Sequence, residues 1–213
     1  MIRIVEHNDW VVYGILFSIF VFITVLSIFN RDANIKDFLT QKIEDSNNVL
    51  PSWVLITIIN CLLYSIILSQ FIPNVPENIS RLGFLGYELN KFGFTFISFL
   101  IFYFLKNSFT FLFYTSIGDV KLLKNLTLLS SKYYFLESIA FIFLCFSLFF
   151  YPLDLIIFFK IIISTLVFSL ILKNLIYLFH NQPILPRKWY YKFLYICTLQ
   201  IVPAIVLWKY LFY

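Results

Sequence analysis

Six long apolar runs constrain the fold of this 213-residue chain more than any other feature. A bilayer core about 30 Å thick requires roughly 20 apolar residues per helical span. Runs close to this length occur at about 10–29, 51–72, 93–117, 133–151, 155–178 and 189–210. They predict an all-α, polytopic membrane protein in which residues 1–213 form a single transmembrane domain of six helices.

The composition excludes an ordinary soluble domain. The chain is 61% hydrophobic and 22% aromatic, with 28 Phe and 14 Tyr, and only 13% of its residues are charged. A soluble domain carries about 25% charged residues, and one of this length has too few interior positions for so many aromatic rings. The net charge of +5 is spread along the chain, so we expect no binding of nucleic acid.

Tryptophan positions support the borders of the spans. Trp10, Trp53, Trp189 and Trp208 each lie within a few residues of a predicted helix end, and indole prefers the membrane–water interface. The first run is too long for a signal peptide, and no small-residue cleavage site follows it. We therefore interpret it as a retained transmembrane helix.

The basic residues predict an orientation. Cytoplasmic loops of membrane proteins carry an excess of Lys and Arg. One side of the six-span arrangement carries ten cations, namely Arg31, Lys36, Lys42, Lys121, Lys124, Lys132, Lys173, Arg187, Lys188 and Lys192. The other side carries four, namely Arg3, Arg81, Lys91 and Lys209. This asymmetry predicts that both termini are periplasmic.

Two cytoplasmic loops show amphipathic patterns. In the first loop Ile35, Phe38, Leu39 and Ile43 share one helical face, and the second loop, over 121–132, alternates Leu with Lys. We expect two short amphipathic helices in these loops. Each could lie on the lipid headgroups, and the four apolar residues of the first loop could instead dock a partner protein.

Five polar residues within the spans are candidates for intramembrane contacts, since such residues are costly in lipid. Lys106 and Glu137 lie at similar depth, which predicts contact directly or through one water. Lys160 and Gln200 form a second candidate pair, and Asn60 lies near the midplane. These residues could hold the helices together, or they could line a path for a proton or small solute.

Enzyme signatures are missing from the sequence. It contains no paired-His metal motif, no G-x-S-x-G elbow and no Gly-rich phosphate loop. Its three Cys all lie within apolar runs, which argues against disulfides and metal ligation. We therefore expect no catalytic, cofactor-binding or metal site.

The C-terminal stretch Tyr191–Pro203, YKFLYICTLQIVP, carries a family resemblance. It resembles the closing motif of an uncharacterised integral membrane family of Bacteroidota, domain-of-unknown-function family 4271. The Asp9-Trp10 pair and Lys106 after a long apolar run are also similar. The chain departs from the family pattern at Gln200, where the family usually has Glu. An amide cannot carry a proton, whereas a hydrogen-bonding role survives this change.

The resemblance implies a bacterial inner membrane but no reaction. Our preferred hypothesis is a non-enzymatic accessory subunit of a larger envelope complex, with the lipid bilayer and other membrane subunits as its partners. The phylum makes secretion or motor machinery, including the type IX secretion motor, the natural analogy. The alternative hypothesis is a small-solute or proton-coupled transporter.

Overall fold

A computed structural model describes residues 9–29, 35–40, 49–73, 90–151, 154–180, 184–186 and 188–212. All the regular elements in this part of the chain are helical. Six of the helices are long and apolar enough to cross a membrane. The predicted fold class, an all-α polytopic membrane protein, is confirmed.

The helices follow the order of the six apolar runs. In chain order they are α1 (Asp9–Thr24, extended in π-helical geometry over Val25–Phe29), α2 (Ile35–Thr40), α3 (Val49–Leu68), α4 (Lys91–Ile117), α5 (Val120–Phe150), α6 (Leu155–Phe179), α7 (Trp189–Leu194), a π-helical segment (Tyr195–Ile201) and α8 (Val202–Phe212). The sixth span consists of α7, the π-helical segment and α8.

Local sequence determines where α4 begins and ends. Asn90 caps its start, with the side-chain oxygen accepting from the Gly93 N–H at 2.7 Å. Gly118 ends it in the left-handed region at φ 81°, and its N–H donates to the Thr115 carbonyl. Glycine adopts this conformation without a Cβ penalty. The short turn brings α5 back antiparallel to α4.

Helix α3 is the centre of the bundle. Within its span 56% of the residues are buried, against 11% in the span of α6, and it packs against α1, α4 and α5. Helix α1 approaches it closely at Gly14, where a Cβ would lie 2.8 Å from the Ile66 Cδ1. Small residues permit such close approach of membrane helices.

The first amphipathic loop contains the short helix α2. Phe38 is buried within the protein, and its ring centroid lies 5.3 Å from that of Phe135. The Lys132 ammonium donates to the Leu39 carbonyl at 2.8 Å. Ile35 is exposed, and Ile43 lies outside the described residues. Phe38 and Leu39, the two middle residues of the predicted docking face, therefore contact other parts of this chain.

The second amphipathic segment does not form a separate loop helix. It is the first part of α5, which runs unbroken for 31 residues from Val120 instead of beginning at 133. Hydropathy falls over residues 121–132, but this stretch contains no Gly or Pro. Only these two residue types strongly interrupt a helix. A helix of this length extends roughly 47 Å, so part of it reaches beyond the hydrocarbon core.

Candidate functional site

Polar side chains of five helical elements converge inside the bundle. On each element they recur at intervals of one to five positions, and residues three or four apart share one face of an α-helix. The set comprises Asn60 and Tyr64 on α3, Tyr103, Lys106 and Thr110 on α4, Tyr133, Tyr134 and Glu137 on α5, Ser169, Lys173 and Tyr177 on α6, and Tyr195 and Gln200 on the π-helical segment.

The Glu137 carboxylate is the hydrogen-bonded core of this cluster. It accepts from the Asn60 amide at 2.9 Å and from the Tyr64 hydroxyl at 2.8 Å. A third bond comes from the Ser169 hydroxyl, which also lies 2.6 Å from the Tyr133 hydroxyl. Hydrogen bonds to a charged group are worth about 1.5–3 kcal/mol each. These three bonds join α3, α5 and α6.

Two lysines lie beside this carboxylate without bonding to it. The Lys173 ammonium donates to the Tyr134 hydroxyl at 2.7 Å and lies 4.2 Å from the centroid of the same ring. The Lys106 ammonium lies 5.8 Å from the ring centroid of Tyr103. Both side chains are buried, with 7% and 8% of their surface exposed. The two amines are near neighbours inside the bundle.

Gln200 is held by the unusual geometry of the sixth span. Its amide donates to the Tyr195 hydroxyl at 2.8 Å, five residues earlier in the chain. Residues five apart do not share a face of an α-helix, but π-helical i→i+5 hydrogen bonding brings them together. Pro203 lies two residues after this segment and has no N–H to continue a regular pattern. Gln200 is 5% exposed, so it faces protein.

Two cavities meet at this cluster. The first, here the Trp208 cavity, measures about 460 Å³ and is lined by residues that include Tyr64, Phe99, Glu137, Ser169 and Trp208. The second, here the Trp53 cavity, measures about 670 Å³ and is lined by residues that include Trp53, Thr57, Thr110, Leu126 and Tyr177. Five residues line both cavities and are here called the shared ring, namely Tyr103, Lys106, Tyr134, Lys173 and Gln200.

The cavities occupy opposite halves of the bundle. The Trp53 cavity is lined by the first half of α3 and the last residues of α6. The Trp208 cavity is lined by the second half of α3 and by α8. Because consecutive spans run in opposite directions, the start of α3 and the end of α6 lie at one membrane face. The shared ring therefore lies between two cavities in different halves of the bundle, each nearer to one membrane face.

The structure brings four of the five predicted intramembrane residues together. Asn60 and Glu137 are hydrogen-bonded, and Lys106 and Gln200 belong to the shared ring. Lys106 is not one of the hydrogen-bond donors to the Glu137 carboxylate. A contact between these two residues through one water stays a prediction. Lys160 is exposed near the start of α6, away from Gln200.

The structure places Lys160 and Gln200 at different depths, which separates the predicted pair. Helix α8 continues to Phe212, two residues beyond the predicted end of the sixth span at 210. Gln200 therefore lies 12 residues from the end, or roughly 18 Å deep. Lys160 lies 5 residues from the start of α6, or roughly 8 Å deep. Its long stem can carry the ammonium to the interface.

Sequence analysis missed Lys173 and the tyrosines. Lys173 was counted among the cytoplasmic cations because it lies within a turn or two of the predicted end of the span. A signal was available, since Ser169, Lys173 and Tyr177 recur every four residues and define one face of α6. Tyr133 and Glu137 are spaced in the same way on α5.

Together the fold and the cluster define a multi-pass membrane protein with a polar centre buried between two cavities. The sequence model of the family described as "Domain of unknown function (DUF4271)" matches residues 10–211. The chain belongs to this family, as the C-terminal motif predicted. Searches of curated proteins and of solved structures gave no match.

Replacing Tyr64 with Phe should destabilise the bundle, because it removes one donor from the Glu137 carboxylate and retains the ring. That ring stacks on Phe99 at 5.0 Å. We expect a loss of about 1.5–3 kcal/mol, seen as a lower thermal unfolding midpoint in detergent. The control is Tyr13→Phe, which changes a tyrosine that is 71% exposed. Equal midpoints for the two variants would refute the proposed role of the Tyr64 hydroxyl.

Proposed function

We propose that the protein moves a small solute, or a solute together with a proton, across a membrane through the shared ring. The observation that carries this proposal is the pair of cavities on opposite halves of the bundle, lined in common by the same five residues. Transporters commonly bind their substrates near the bilayer midplane, between cavities that face the two sides. If the polar residues only held the helices together, their hydrogen bonds would be needed but the cavities would not.

The irregular sixth span also supports a transport function. The π-helical segment occupies Tyr195–Ile201, and it supplies Gln200 to the shared ring. Interruptions of this kind are frequent at functional sites, and broken helices often form the substrate sites of transporters. Local repacking of this segment offers a way to open the ring toward one cavity at a time.

A second candidate function is an accessory subunit of a larger envelope complex, including secretion or motor machinery by analogy. Helix α6 favours this candidate, because only 11% of its span is buried against the rest of the chain. It presents large apolar side chains outward, with Ile156 and Phe168 exposed by 69% and 64%. Another membrane subunit would cover this apolar face in the complex.

The proposed location is the inner membrane of a member of the Bacteroidota, with both termini periplasmic. The family resemblance motivates the phylum and the membrane. The orientation rests on the basic residues, and the burial of Lys173 changes their balance only slightly. Without Lys173 the cytoplasmic side retains nine of the ten cations, against four on the other side. In this orientation the Trp53 cavity lies in the cytoplasmic half.

Neutralising either lysine of the shared ring should reduce flux. Purified protein in liposomes would be tested with gradients of protons, chloride, ammonium and short carboxylates, read by a trapped pH dye under an imposed potential. We expect Lys106→Met and Lys173→Met each to lower the flux at least tenfold, since each removes a charge-assisted contact with the solute of about 1.5–3 kcal/mol. The matched control, Lys160→Met, changes an exposed lysine on the same helix as Lys173 and should retain full flux.

Equal loss in the control would mean that the ring has no specific role. Absence of any flux in the unaltered protein, together with a stoichiometric partner in a mild-detergent purification, would favour the accessory subunit instead.

The orientation predicts how reporter fusions at Tyr213 will behave in bacterial cells. Alkaline phosphatase folds only outside the cytoplasm, so that fusion should be active. Green fluorescent protein exported in an unfolded form does not fluoresce, so that fusion should be dark. The reverse pattern, fluorescent and phosphatase-negative, would overturn the proposed orientation.

A further inference from the structure

The shared ring is rich in basic groups. It contains two lysine amines, of Lys106 and Lys173, and no carboxylate. The nearest acidic group is Glu137, whose oxygens already accept bonds from Asn60, Tyr64 and Ser169. Glu137 is thereby held by neutral donors, so neither lysine receives an ion pair from it. The centre of the bundle is therefore suited to a negatively charged guest.

The contacts of the two ammonium groups only partly replace their hydration. Lys173 donates to the Tyr134 hydroxyl and also lies near the rings of Tyr133, Tyr134 and Tyr177. Lys106 lies near the rings of Phe102 and Tyr103. A cation–π contact contributes about 0.5–2 kcal/mol, which is small beside the penalty of several kcal/mol for burying an ion. An anion placed between the two lysines would offset more of this penalty, because it would accept hydrogen bonds from both.

The residues that line the Trp208 cavity indicate the chemical character of the rest of the bound molecule. Beyond the ring, three polar residues line this cavity, Tyr64, Glu137 and Ser169, and they are hydrogen-bonded to one another through the Glu137 carboxylate. The other walls are aliphatic and aromatic, and include Leu68, Phe99, Leu166, Leu207 and Trp208. The Trp53 cavity is more polar, since several hydroxyl and amide groups line it. At about 460 Å³ the Trp208 cavity falls within the size range of small-molecule pockets, about 300–1,000 Å³. It fits an apolar chain better than a hydrated ion.

We propose that the ring binds the acidic head of an anionic amphiphile, with its apolar tail in the Trp208 cavity. This inference rests on the proposed function, for which it names the substrate class. The head is a carboxylate or phosphate held between Lys106 and Lys173. It could belong to a free fatty acid or to an anionic phospholipid that enters from the bilayer.

Tryptophan fluorescence can test this binding, because each cavity has its own indole. The protein would be placed in nanodiscs of zwitterionic lipid and titrated with 8-bromooctanoate, whose bromine quenches nearby tryptophan. We expect saturable quenching that Trp208→Phe removes and Trp53→Phe retains. Lys106→Met and Lys173→Met should each weaken the apparent affinity about tenfold. Lys160→Met should leave it unchanged.

Probes of matched length separate specific binding from partition into lipid. Bromo-octanol and a brominated octyl trimethylammonium salt carry the same tail without the negative charge. Equal quenching by all three probes, or no effect of the two ring-lysine variants, would overturn the proposal. Gln200→Glu adds a carboxylate to the ring with little change of shape. It should retain thermal stability and lose most of the affinity, and unchanged affinity would also contradict the proposal.

The source of the anionic head is determined by competition. If phosphatidylglycerol in the nanodisc displaces 8-bromooctanoate, the natural guest is an anionic lipid. If it does not, the guest is a free acid. The results of the binding experiment and of the flux experiment are independent of each other. Flux without anion binding would overturn the substrate class alone, whereas anion binding without flux would overturn transport and leave the site.

Discussion

The hydrogen bonding of Glu137 is the interaction on which the rest of the structure depends. A carboxylate without partners at this depth in a membrane would be strongly unfavourable. Asn60 and Tyr64 on α3 and Ser169 on α6 supply its three donors. Helix α6 has few other buried contacts, so the bond from Ser169 positions it against the bundle and thereby directs Lys173 toward the centre.

The same arrangement separates two kinds of charge. Glu137 is satisfied by neutral donors, whereas the two ring lysines lie near each other and contact aromatic rings and a hydroxyl. A direct ion pair between Glu137 and a lysine would have closed the centre of the bundle. The actual distribution leaves a ring with two lysine amines between two cavities of different polarity. The proposals for transport and for an anionic guest both follow from this asymmetry.

Sequence analysis recovered the spans because hydropathy depends on composition alone. It also identified Gln200 as a candidate for an intramembrane contact, since an amide in lipid lacks partners. It could not pair Glu137 with Asn60, because that requires the rotation of each helix about its axis, which tertiary packing sets. Lys173 was misjudged for a related reason. A lysine near a helix end can extend to the interface or turn inward. The hydrogen bond to Tyr134 holds the Lys173 side chain inward, and the sequence does not show this contact.

The central claim, that the ring separates two cavities of opposite sidedness, can be tested most directly by cysteine accessibility. Thr57 lines the Trp53 cavity and Ala204 the Trp208 cavity, and each accepts Cys with little change of volume. With the three native cysteines replaced by alanine, each variant would be treated with a membrane-impermeant thiol reagent in right-side-out and in inside-out vesicles. The outward-facing Ala140→Cys serves as the lipid-exposed control. The account predicts labelling of Ala204→Cys from the periplasmic side alone and of Thr57→Cys from the cytoplasmic side alone, and labelling of both from the same side would contradict it.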